Sequence, residues 1–362
     1  MAADAFIKET VSLVPFTTLG IGGPARYFAE AATETAVLEA LSFAEARALP
    51  VFILGGGSNI LVADEGFAGL VLRVAIMGVS SNEEDRKVMV TAGAGENWDS
   101  LVSYCVERKL AGIECLSGIP GLVGGTPVQN VGAYGQEVSE TIVAVRAYDR
   151  QEKRIIELSN TACGFSYRAS IFNTSMRDRY IVLAVRYALT PNGQPTLRYA
   201  DVQNFFAGRS SEPSLVEVRE AVRTIRARKA MLIVPGDPDC QSAGSFFKNP
   251  IITTEAFTQI EAAARAHGLL SKDEHLPRYN APGNQVKTSA AWLIERAGFH
   301  KGYQRGRVGL SSKHTLAIIN CGGATAREVI GLMREIQARV RGQFEIELTP
   351  EPVFVGFDPR SE

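Results

Sequence analysis

Two glycine-rich segments hold the residues best suited to chemistry with a charged ligand. The apolar run VFIL leads directly into GGGSN at residues 55–59, and residues 118–125 read GIPGLVGG. Glycine adopts positive φ and has no Cβ, so consecutive backbone N–H groups can line a concave site for a pyrophosphate. A tight turn is the alternative for the first segment taken alone. Two such loops in neighbouring strand-rich regions favour one extended ligand that lies across both.

These loops differ from the common nucleotide-binding loops. The sequence has no G-x-G-x-x-G that opens a helix after the first strand, and no G-x-x-x-x-G-K-[ST]. Its five cysteines are widely spaced without a C-x-x-C pair, and its four histidines form no H-E-x-x-H. A disulfide framework and a metal site are therefore not expected, and a reducing cytoplasm suits the chain best.

Charge and hydropathy argue against several classes of partner. The chain of 362 residues carries 38 basic and 39 acidic side chains, a formal net charge of −1. Near-neutrality gives no electrostatic reason to expect a nucleic acid or an anionic membrane as partner. No run approaches the roughly 18 apolar residues that span a bilayer. The first ten residues, MAADAFIKET, lack the apolar centre of a signal peptide.

The elements that must position the loops form an α+β pattern. Residues 25–54 read as a β-α-β unit, strands dominate residues 70–200, and helices dominate from about residue 215. We therefore predict an α+β protein. Three domains are expected, comprising residues 1–78, 79–215 and 216–354, with the option that 355–362 joins the first.

Two signals near the C-terminus predict a helix followed by a strand. Thr325 and Glu328 match a capping box, which predicts a helix to about Arg341 with Gly342 just past its end. Residues 344–348 read FEIEL, and this alternation predicts a strand with the apolar side chains on one face and the two glutamates in solvent.

Motifs along the whole chain resemble one family. In chain order they are TTLGIGGPARYF, ILGGGSNILVADEGFAGLVLRV, LSGIPGLVGGTPVQNVGAYG, CGFSYRASIF, AGSFFKNP, KTSAAWLIERAGFHKG, SSKHTLAIIN and LTPEPVFVG. Together they resemble the UDP-N-acetylenolpyruvoylglucosamine reductases, flavoproteins that complete UDP-N-acetylmuramate for bacterial peptidoglycan. The combination of GSFFKNP with the YRAS segment makes the resemblance specific.

The resemblance implies a fold and two redox molecules. The first two domains are expected to form a vanillyl-alcohol-oxidase-type FAD-binding fold, and the third to bind substrate. FAD is expected to bind noncovalently, since neither glycine loop contains histidine or cysteine. NADPH is implied as the hydride-donating co-substrate. The expected FAD contacts are Gly55, Gly56, Gly57, Ser58, Asn59, Ser117, Gly118, Pro120, Gly124, Gly125, Gly132 and Ala133.

The resemblance also implies three catalytic residues. Hydride passes from NADPH through FAD to an enol ether, and negative charge develops beside the carboxylate of the substrate. Arg168, in SYRAS, matches the arginine that meets this enolate, and a guanidinium can donate two parallel hydrogen bonds to a carboxylate. Ser245, in AGSFFKNP, matches the proton donor. Glu351 matches a glutamate that would hold the enolate if protonated and oppose it if ionised, and both states stay open.

Further residues are expected at the substrate. PTLRYADVQ resembles the branch of the family in which a tyrosine loop closes over substrate, which makes Tyr199 the candidate lid residue. A structural role and a ligand role stay open for His314. The expected substrate contacts are Tyr134, Tyr199, Lys248, Asn249 and His314.

One position departs from the family pattern. Ile233 stands where many members carry a lysine that contacts the pyrophosphate. Either Lys229, Arg226 or Arg228 supplies that charge, or the diphosphate binds differently. Cys240 lies close to Ser245 in sequence and receives no role.

Two other functions compete with the reductase. An FAD oxidase of the same superfamily would explain the glycine loops, and a catalytically silent sugar-nucleotide binder would explain a lost active site. Neither explains the joint presence of Arg168, Ser245 and Glu351 in their matching contexts. We therefore expect a monomeric enzyme that acts on small molecules.

Overall fold

A computed structural model of the chain describes residues 6–271 and 273–358. The helices in this part of the chain are α1 (Glu34–Ala46), α2 (Trp98–Glu107), α3 (Ala200–Phe205), α4 (Leu215–Arg228), α5 (Thr254–Ala266), α6 (Ala290–Arg296) and α7 (Ala326–Phe344). The strands are β1 (Ile7–Ser12), β2 (Pro24–Ala31), β3 (Val51–Leu54), β4 (Ile60–Val62), β5 (Phe67–Val74), β6 (Val79–Glu84), β7 (Lys87–Gly93), β8 (Leu110–Ala111), β9 (Gly132–Ala133), β10 (Gln136–Glu137), β11 (Ile142–Asp149), β12 (Arg154–Ser159), β13 (Tyr180–Pro191), β14 (Ile251–Thr253), β15 (Arg278–Asn280), β16 (Gln285–Thr288), β17 (Gln304–Arg305), β18 (Val308–Leu310), β19 (Ile318–Asn320) and β20 (Val353–Val355).

The chain divides into two compact units, each built from three segments. The first unit takes the chain up to Ser12, Pro24–Gly57 and Phe67–Ile233, and the second takes Leu13–Gly23, Ser58–Gly66 and the chain from Val234 onward. The predicted division into three domains stays a prediction.

A four-stranded sheet in the first unit confirms the predicted β-α-β unit. Its order is β1-β2-β5-β3, and β5 pairs in parallel with both β2 and β3. Parallel strands need a crossover connection, and α1 connects β2 to β3, which lie on either side of β5. Val37, Ala40 and Ala44 lie on one helical face and are buried in a core that includes Leu70 and Leu72 of β5.

The second sheet of this unit is antiparallel. Its strands follow the order β12-β11-β13-β7-β6, and β8 pairs with β13. The prediction that strands dominate residues 70–200 is confirmed by β5, β7, β11, β12 and β13. Helix α2 packs on the core of this unit through Leu101, Val102 and Cys105. Trp98 is 1% exposed, and its indole N–H donates to the Leu116 carbonyl over 3.1 Å.

The second unit consists of small sheets and three helices. Two three-stranded sheets have the orders β14-β16-β15 and β17-β18-β19, and β20 pairs in parallel with β4. Trp292, Leu293 and Ile336 contribute to a separate buried core. The predicted α+β class is therefore confirmed. In the part of the chain that the structure describes, no helix is both long and apolar enough to cross a membrane.

The predicted end of α7 is wrong, although its start is confirmed. Thr325 and Glu328 form the reciprocal capping box. The helix passes through Gly342 and ends only where Glu345 adopts φ 58°, with its N–H donating to the Arg341 carbonyl. The segment that follows is therefore not a strand. Its alternation still predicted burial, since Phe344, Ile346 and Leu348 are buried while Glu345 and Glu347 are exposed.

Candidate functional site

Two glycine loops pack against each other in the first unit. We call residues 55–57 loop A and residues 117–125 loop B. A Cβ on Gly56 would lie 2.5 Å from the Gly121 Cα, which is far inside normal carbon–carbon contact. A Cβ on Gly124 would lie 2.7 Å from the Ala94 Cβ. The missing side chains are therefore what allows the two loops and their support to approach.

Loop A presents free backbone donors on an open side. Among the described residues, no acceptor takes the N–H groups of Gly55, Gly56 and Gly57. Gly57 has φ 64°, a conformation that glycine adopts without strain. A Cβ on Gly55 or Gly125 would meet no described heavy atom within 4 Å. Unsatisfied N–H groups beside open space are what an anionic pyrophosphate needs, so this loop fits FAD.

The N–H groups of three loop B glycines are taken by acceptors of the first unit, two outside the loop and one within it. The N–H of Gly118 donates to Asp99 Oδ1 over 2.6 Å, and the N–H of Gly124 donates to the Ala94 carbonyl over 2.9 Å. The N–H of Gly125 donates to the Leu122 carbonyl. Ser117 is buried and donates from Oγ to the Glu114 carbonyl, whereas Pro120 is half-buried. The predicted loop B glycines thus provide close approach rather than hydrogen-bond donors.

A charged network that sequence reasoning missed supports loop B. Besides Gly118, Asp99 accepts hydrogen bonds from Arg219 and Arg223, each over 2.6 Å at the shortest. Burial alone would raise the pKa of Asp99, but the hydrogen bonds from Arg219 and Gly118 outweigh it and lower that pKa. The sequence does show that the two arginines are spaced i, i+4. This spacing predicts that they share one face of a helix, but it does not predict that Asp99 is their partner.

Arg168 lies beside β9 in the first unit. It has φ 55° in a tight turn closed by hydrogen bonds between Ser166 and Ala169 in both directions. Its Nη2 donates to the Gly132 carbonyl over 2.8 Å. The structure therefore brings the predicted catalytic arginine next to Gly132 and Ala133, which form β9 and were predicted to contact FAD.

Two of the predicted substrate contacts meet in the first unit. The rings of Tyr134 and Tyr199 are 5.5 Å apart and nearly perpendicular. Tyr199 is 38% exposed and directly precedes α3. Burial raises the pKa of the Tyr134 hydroxyl, while the cations Arg226 and Lys229 oppose that rise.

In the second unit, Ser245 and Glu351 lie on paired segments. Phe247 pairs with Pro350 in an antiparallel bridge, and the N–H of Glu351 donates to the Phe246 carbonyl over 2.9 Å. This pairing places Glu351 opposite Phe246, the residue that follows the predicted proton donor Ser245. Phe246 and Phe247 are 0% and 1% exposed, so the ladder is anchored in the buried core of the second unit.

Asn59 belongs to the same ladder. Its Nδ2 donates to the Glu351 carbonyl over 3.3 Å, and its own carbonyl accepts from the Val353 N–H over 3.0 Å. The carbonyl of the adjacent Ser58 accepts from Thr18 Oγ1. The structure therefore joins Asn59, predicted as an FAD contact, to the backbone of the Glu351 segment.

The remaining predicted substrate residues of the second unit lie near this ladder in sequence. Lys248 donates its N–H to the Thr349 carbonyl, which extends the ladder by one residue. Asn249 Oδ1 accepts from the Ala290 N–H over 3.0 Å at the start of α6. The His314 carbonyl accepts from the Ala317 N–H, and the His314 side chain is half-buried.

The three cations that could replace the family lysine differ in burial and in their partners. Ile233 is 51% exposed. Arg226 is buried and donates from Nε to the Gly118 carbonyl over 3.1 Å, whereas Lys229 pairs with Asp201 over 2.5 Å. Arg228 is exposed. Arg226 is therefore engaged by the protein itself.

Cys240, which has no predicted role, accepts a local hydrogen bond. Cys240 Sγ accepts from the Val234 N–H over 3.2 Å. Residues 6–271 and 273–358 contain no cluster of three or more histidine, cysteine or acidic side chains that could hold a metal ion.

The class of the protein follows from two family models that match consecutive parts of the chain. The model described as "FAD binding domain" matches residues 25–159. The model described as "UDP-N-acetylenolpyruvoylglucosamine reductase, C-terminal domain" matches residues 237–355. Together with the fit of loop A to FAD, these matches define an FAD-dependent oxidoreductase.

Full-length relatives then give the family. The chain is 46% identical over 352 residues to UDP-N-acetylenolpyruvoylglucosamine reductase of Thermobifida fusca, an alignment that covers 96% of this chain and 98% of the relative. It is 40% identical to the Mycobacterium tuberculosis enzyme of that name, with 98% and 96% covered. The crystal structure of the Thermus caldophilus reductase matches with a TM-score of 0.63 and 27% identity, over 97% of this chain and 100% of that one. The chain belongs to the UDP-N-acetylenolpyruvoylglucosamine reductase family, which confirms the resemblance of its motifs.

Proposed function

We propose that this protein uses NADPH to reduce the enolpyruvyl group of UDP-N-acetylglucosamine enolpyruvate, which yields UDP-N-acetylmuramate for peptidoglycan synthesis. The observation that supports this most directly is the short ladder in which Phe246, the neighbour of Ser245, pairs with Glu351. Reduction of an enol ether beside a carboxylate needs a proton donor and a polar group for the developing charge. The ladder holds one candidate for each role on adjacent backbone segments.

The proposed cofactor is noncovalent FAD, held by loop A and loop B. The three N–H groups of Gly55, Gly56 and Gly57 are suited to its pyrophosphate. When bound, FAD would supply transfer of a hydride from NADPH to the substrate alkene. The further contacts proposed for FAD are Ser58, Asn59, Ser117, Gly118, Pro120, Gly124, Gly125, Gly132 and Ala133.

Arg168 is proposed to bind the substrate carboxylate. One of its terminal nitrogens donates to the Gly132 carbonyl, which fixes the plane of the guanidinium. A planar cation held in one orientation can donate parallel hydrogen bonds to a carboxylate and stabilise the enolate as it forms.

Ser245 is proposed to give its hydroxyl proton to the inner alkene carbon. A neutral hydroxyl places no second negative charge beside the enolate, and a carbanion-like centre is basic enough to take its proton. The next two residues, Phe246 and Phe247, are buried, so the backbone that carries this serine is anchored in the core. Glu351 is proposed to hold the enolate through its carboxyl when protonated.

We propose that the protein acts as a monomer in the cytoplasm and that its substrates are small molecules. We also propose the division into three domains that the sequence predicts. The proposed contacts to the nucleotide sugar are Tyr134, Tyr199, Lys248, Asn249 and His314.

The test is product formation by the purified, FAD-loaded protein. With NADPH and UDP-N-acetylglucosamine enolpyruvate, mass spectrometry should detect a product heavier by two hydrogen atoms that co-elutes with UDP-N-acetylmuramate. Arg177→Met is a matched control for Arg168→Met, because Arg177 is exposed and has no proposed role. NADPH oxidation that yields only hydrogen peroxide, with the enol ether unchanged, would contradict the proposed reaction and support the oxidase.

A further inference from the structure

Glu114 carries a buried carboxyl group that the proposed chemistry leaves without a role. The residue is 0% exposed. Its Oε1 accepts hydrogen bonds from Gln136 Nε2 and from the Thr196 N–H, each over 2.8 Å, and its Oε2 accepts from the Gly112 N–H over 2.7 Å. All three donors are neutral. Desolvation of a carboxyl group opposes folding unless its oxygens are hydrogen-bonded, so the contribution of this side chain lies in the segments that it joins.

Two of these partners also bind each other. Gln136 Nε2 donates to Thr196 Oγ1 over 3.1 Å as well as to Glu114. Gln136 Oε1 accepts from the Cys115 N–H over 2.7 Å, which fixes the end of the amide that faces the carboxyl group. The Thr196 carbonyl accepts from the Cys115 thiol over 3.2 Å, so the N–H, the carbonyl and the hydroxyl of Thr196 are all engaged. We call Glu114, Gln136 and Thr196 the stem network.

The stem network lies at the base of the two tyrosines assigned to the substrate. Gln136 comes two residues after Tyr134, and Thr196 comes three residues before Tyr199. The hydrogen bond between Gln136 and Thr196 joins segments that are 60 positions apart in the chain. Leu197 and Tyr134 pack against the same small buried core, and the two tyrosine rings are 5.5 Å apart. The stem network therefore ties together the backbone segments from which the two rings project.

We propose that Glu114 is a positioning residue for substrate binding, which holds the segments of Tyr134 and Tyr199 at the separation that lets both rings contact one substrate. This inference rests on the proposed function, in which both tyrosines contact the nucleotide sugar. Side chains that are already ordered cost less to immobilise when a ligand binds. Without the two oxygens of Glu114, the ligand itself must order the two segments, and its binding is weaker.

The substrate affinity of the FAD-loaded protein tests this role. Wild type, Glu114→Met and Glu114→Gln are titrated with UDP-N-acetylglucosamine enolpyruvate, without NADPH, by isothermal titration calorimetry. Methionine has a similar length but no oxygen to accept hydrogen bonds, so Glu114→Met should raise the dissociation constant about tenfold. Glutamine keeps one carbonyl oxygen for Gln136 and Thr196, so Glu114→Gln should stay within about threefold of wild type. An equal loss in both variants would overturn the role assigned to these two hydrogen bonds.

Asp149→Leu is the matched control, because it also removes a buried carboxyl group from the first unit. Asp149 is 2% exposed and ends β11, where it accepts from Arg179 and from the N–H groups of Gln151 and Glu152. Asp149→Leu should lower the melting temperature as Glu114→Met does, but it should leave the dissociation constant for substrate within about twofold of wild type. An equal loss of substrate affinity in the two variants would show a general effect of destabilisation and overturn the positioning role.

A double-mutant cycle with Tyr199→Ala shows whether Glu114 acts through the tyrosines. In the Tyr199→Ala background, Glu114→Met should weaken substrate binding by no more than about threefold, because one of the two rings that it positions is absent. A further tenfold loss in that background would make the two changes additive and would overturn the inference.

Failure of this inference differs from failure of the proposed function. A wild-type protein that does not bind the enolpyruvyl nucleotide sugar would refute both. A wild-type protein that binds it, with unchanged affinity in Glu114→Met, refutes the positioning role alone. If circular dichroism shows Glu114→Met to be unfolded, Gln136→Met replaces it, because that change removes the hydrogen bonds of the amide to both Glu114 and Thr196.

Discussion

The contact between loop A and loop B gives the sharpest prediction, because adjacent glycines face different surroundings. In Gly56→Ala the new Cβ would lie 2.5 Å from the Gly121 Cα and 2.9 Å from its carbonyl carbon. Carbon atoms normally sit about 3.5–4.0 Å apart, so the loops must separate by about 1 Å. The obstacle is backbone and no side-chain rotation removes it. Overpacking of this kind costs about 1–3 kcal/mol, or about 2–4 °C of melting temperature per kcal/mol in a domain of 150–250 residues.

Gly55→Ala is the matched control for this change. A Cβ at that position meets no described heavy atom within 4 Å, so the apoprotein should melt at the wild-type temperature. The same Cβ enters the open side of loop A that we assign to FAD, and FAD binding should weaken. Gly56→Ala should lower both stability and FAD affinity, and Gly55→Ala should lower affinity alone.

Differential scanning fluorimetry measures the melting temperatures of the two apoproteins. Fluorescence titration measures their affinity for FAD. A Gly56→Ala apoprotein as stable as the wild type would refute the described packing of the loops. A Gly55→Ala protein that binds FAD as tightly as the wild type would show that the open side of loop A is not the cofactor side.

Three further changes test the catalytic assignments and the support of loop B. Ser245→Ala should leave flavin reduction by NADPH near wild type in stopped flow but slow reoxidation by substrate about 100-fold or more, and equal loss in both steps would exclude Ser245 as donor. Arg168→Lys keeps the charge without the planar fork, so kcat/KM should fall about tenfold or more while FAD affinity is retained; an unchanged kcat/KM would argue against bidentate binding. The lowered pKa of Asp99 means that its stabilisation is present above its unfolded-state pKa of about 3.9 and disappears as pH falls through the lower folded-state value. Asp99→Asn should therefore melt lower at pH 7 and lose less melting temperature below about pH 4; parallel melting curves against pH would contradict the network.

Local features of the fold could be predicted from the sequence. Apolar periodicity and flanking glycines determined the β-α-β unit and the long strands, because those patterns act over a few residues. The capping box at Thr325 was readable for the same reason. The end of α7 was not, since Gly342 is tolerated inside the helix and the stop depends on the left-handed conformation of Glu345.

The parts of the site that lie within one motif could be predicted from the sequence. The contacts between segments far apart in the chain could not. The glycine spacing predicted two loops with N–H groups for an anion. Loop A has such groups, whereas protein acceptors take those of Gly118, Gly124 and Gly125 in loop B. The hydrogen bond of Arg226 to Gly118 joins residues 108 positions apart, and that of Asn59 to the Glu351 carbonyl joins residues 292 apart. No local propensity encodes such pairs, which arise only from the packing of whole elements.

The central claim is that this chain binds FAD and passes reducing equivalents from NADPH to an enolpyruvyl nucleotide sugar. The most direct measurement is the visible spectrum of the purified protein under anaerobic conditions, followed through addition of NADPH and then of UDP-N-acetylglucosamine enolpyruvate. A flavin spectrum that bleaches with NADPH and returns only with the enolpyruvyl substrate is the expected result. A protein that shows no flavin and cannot be reconstituted with FAD, or a reduced flavin that the substrate does not reoxidise, would contradict the account.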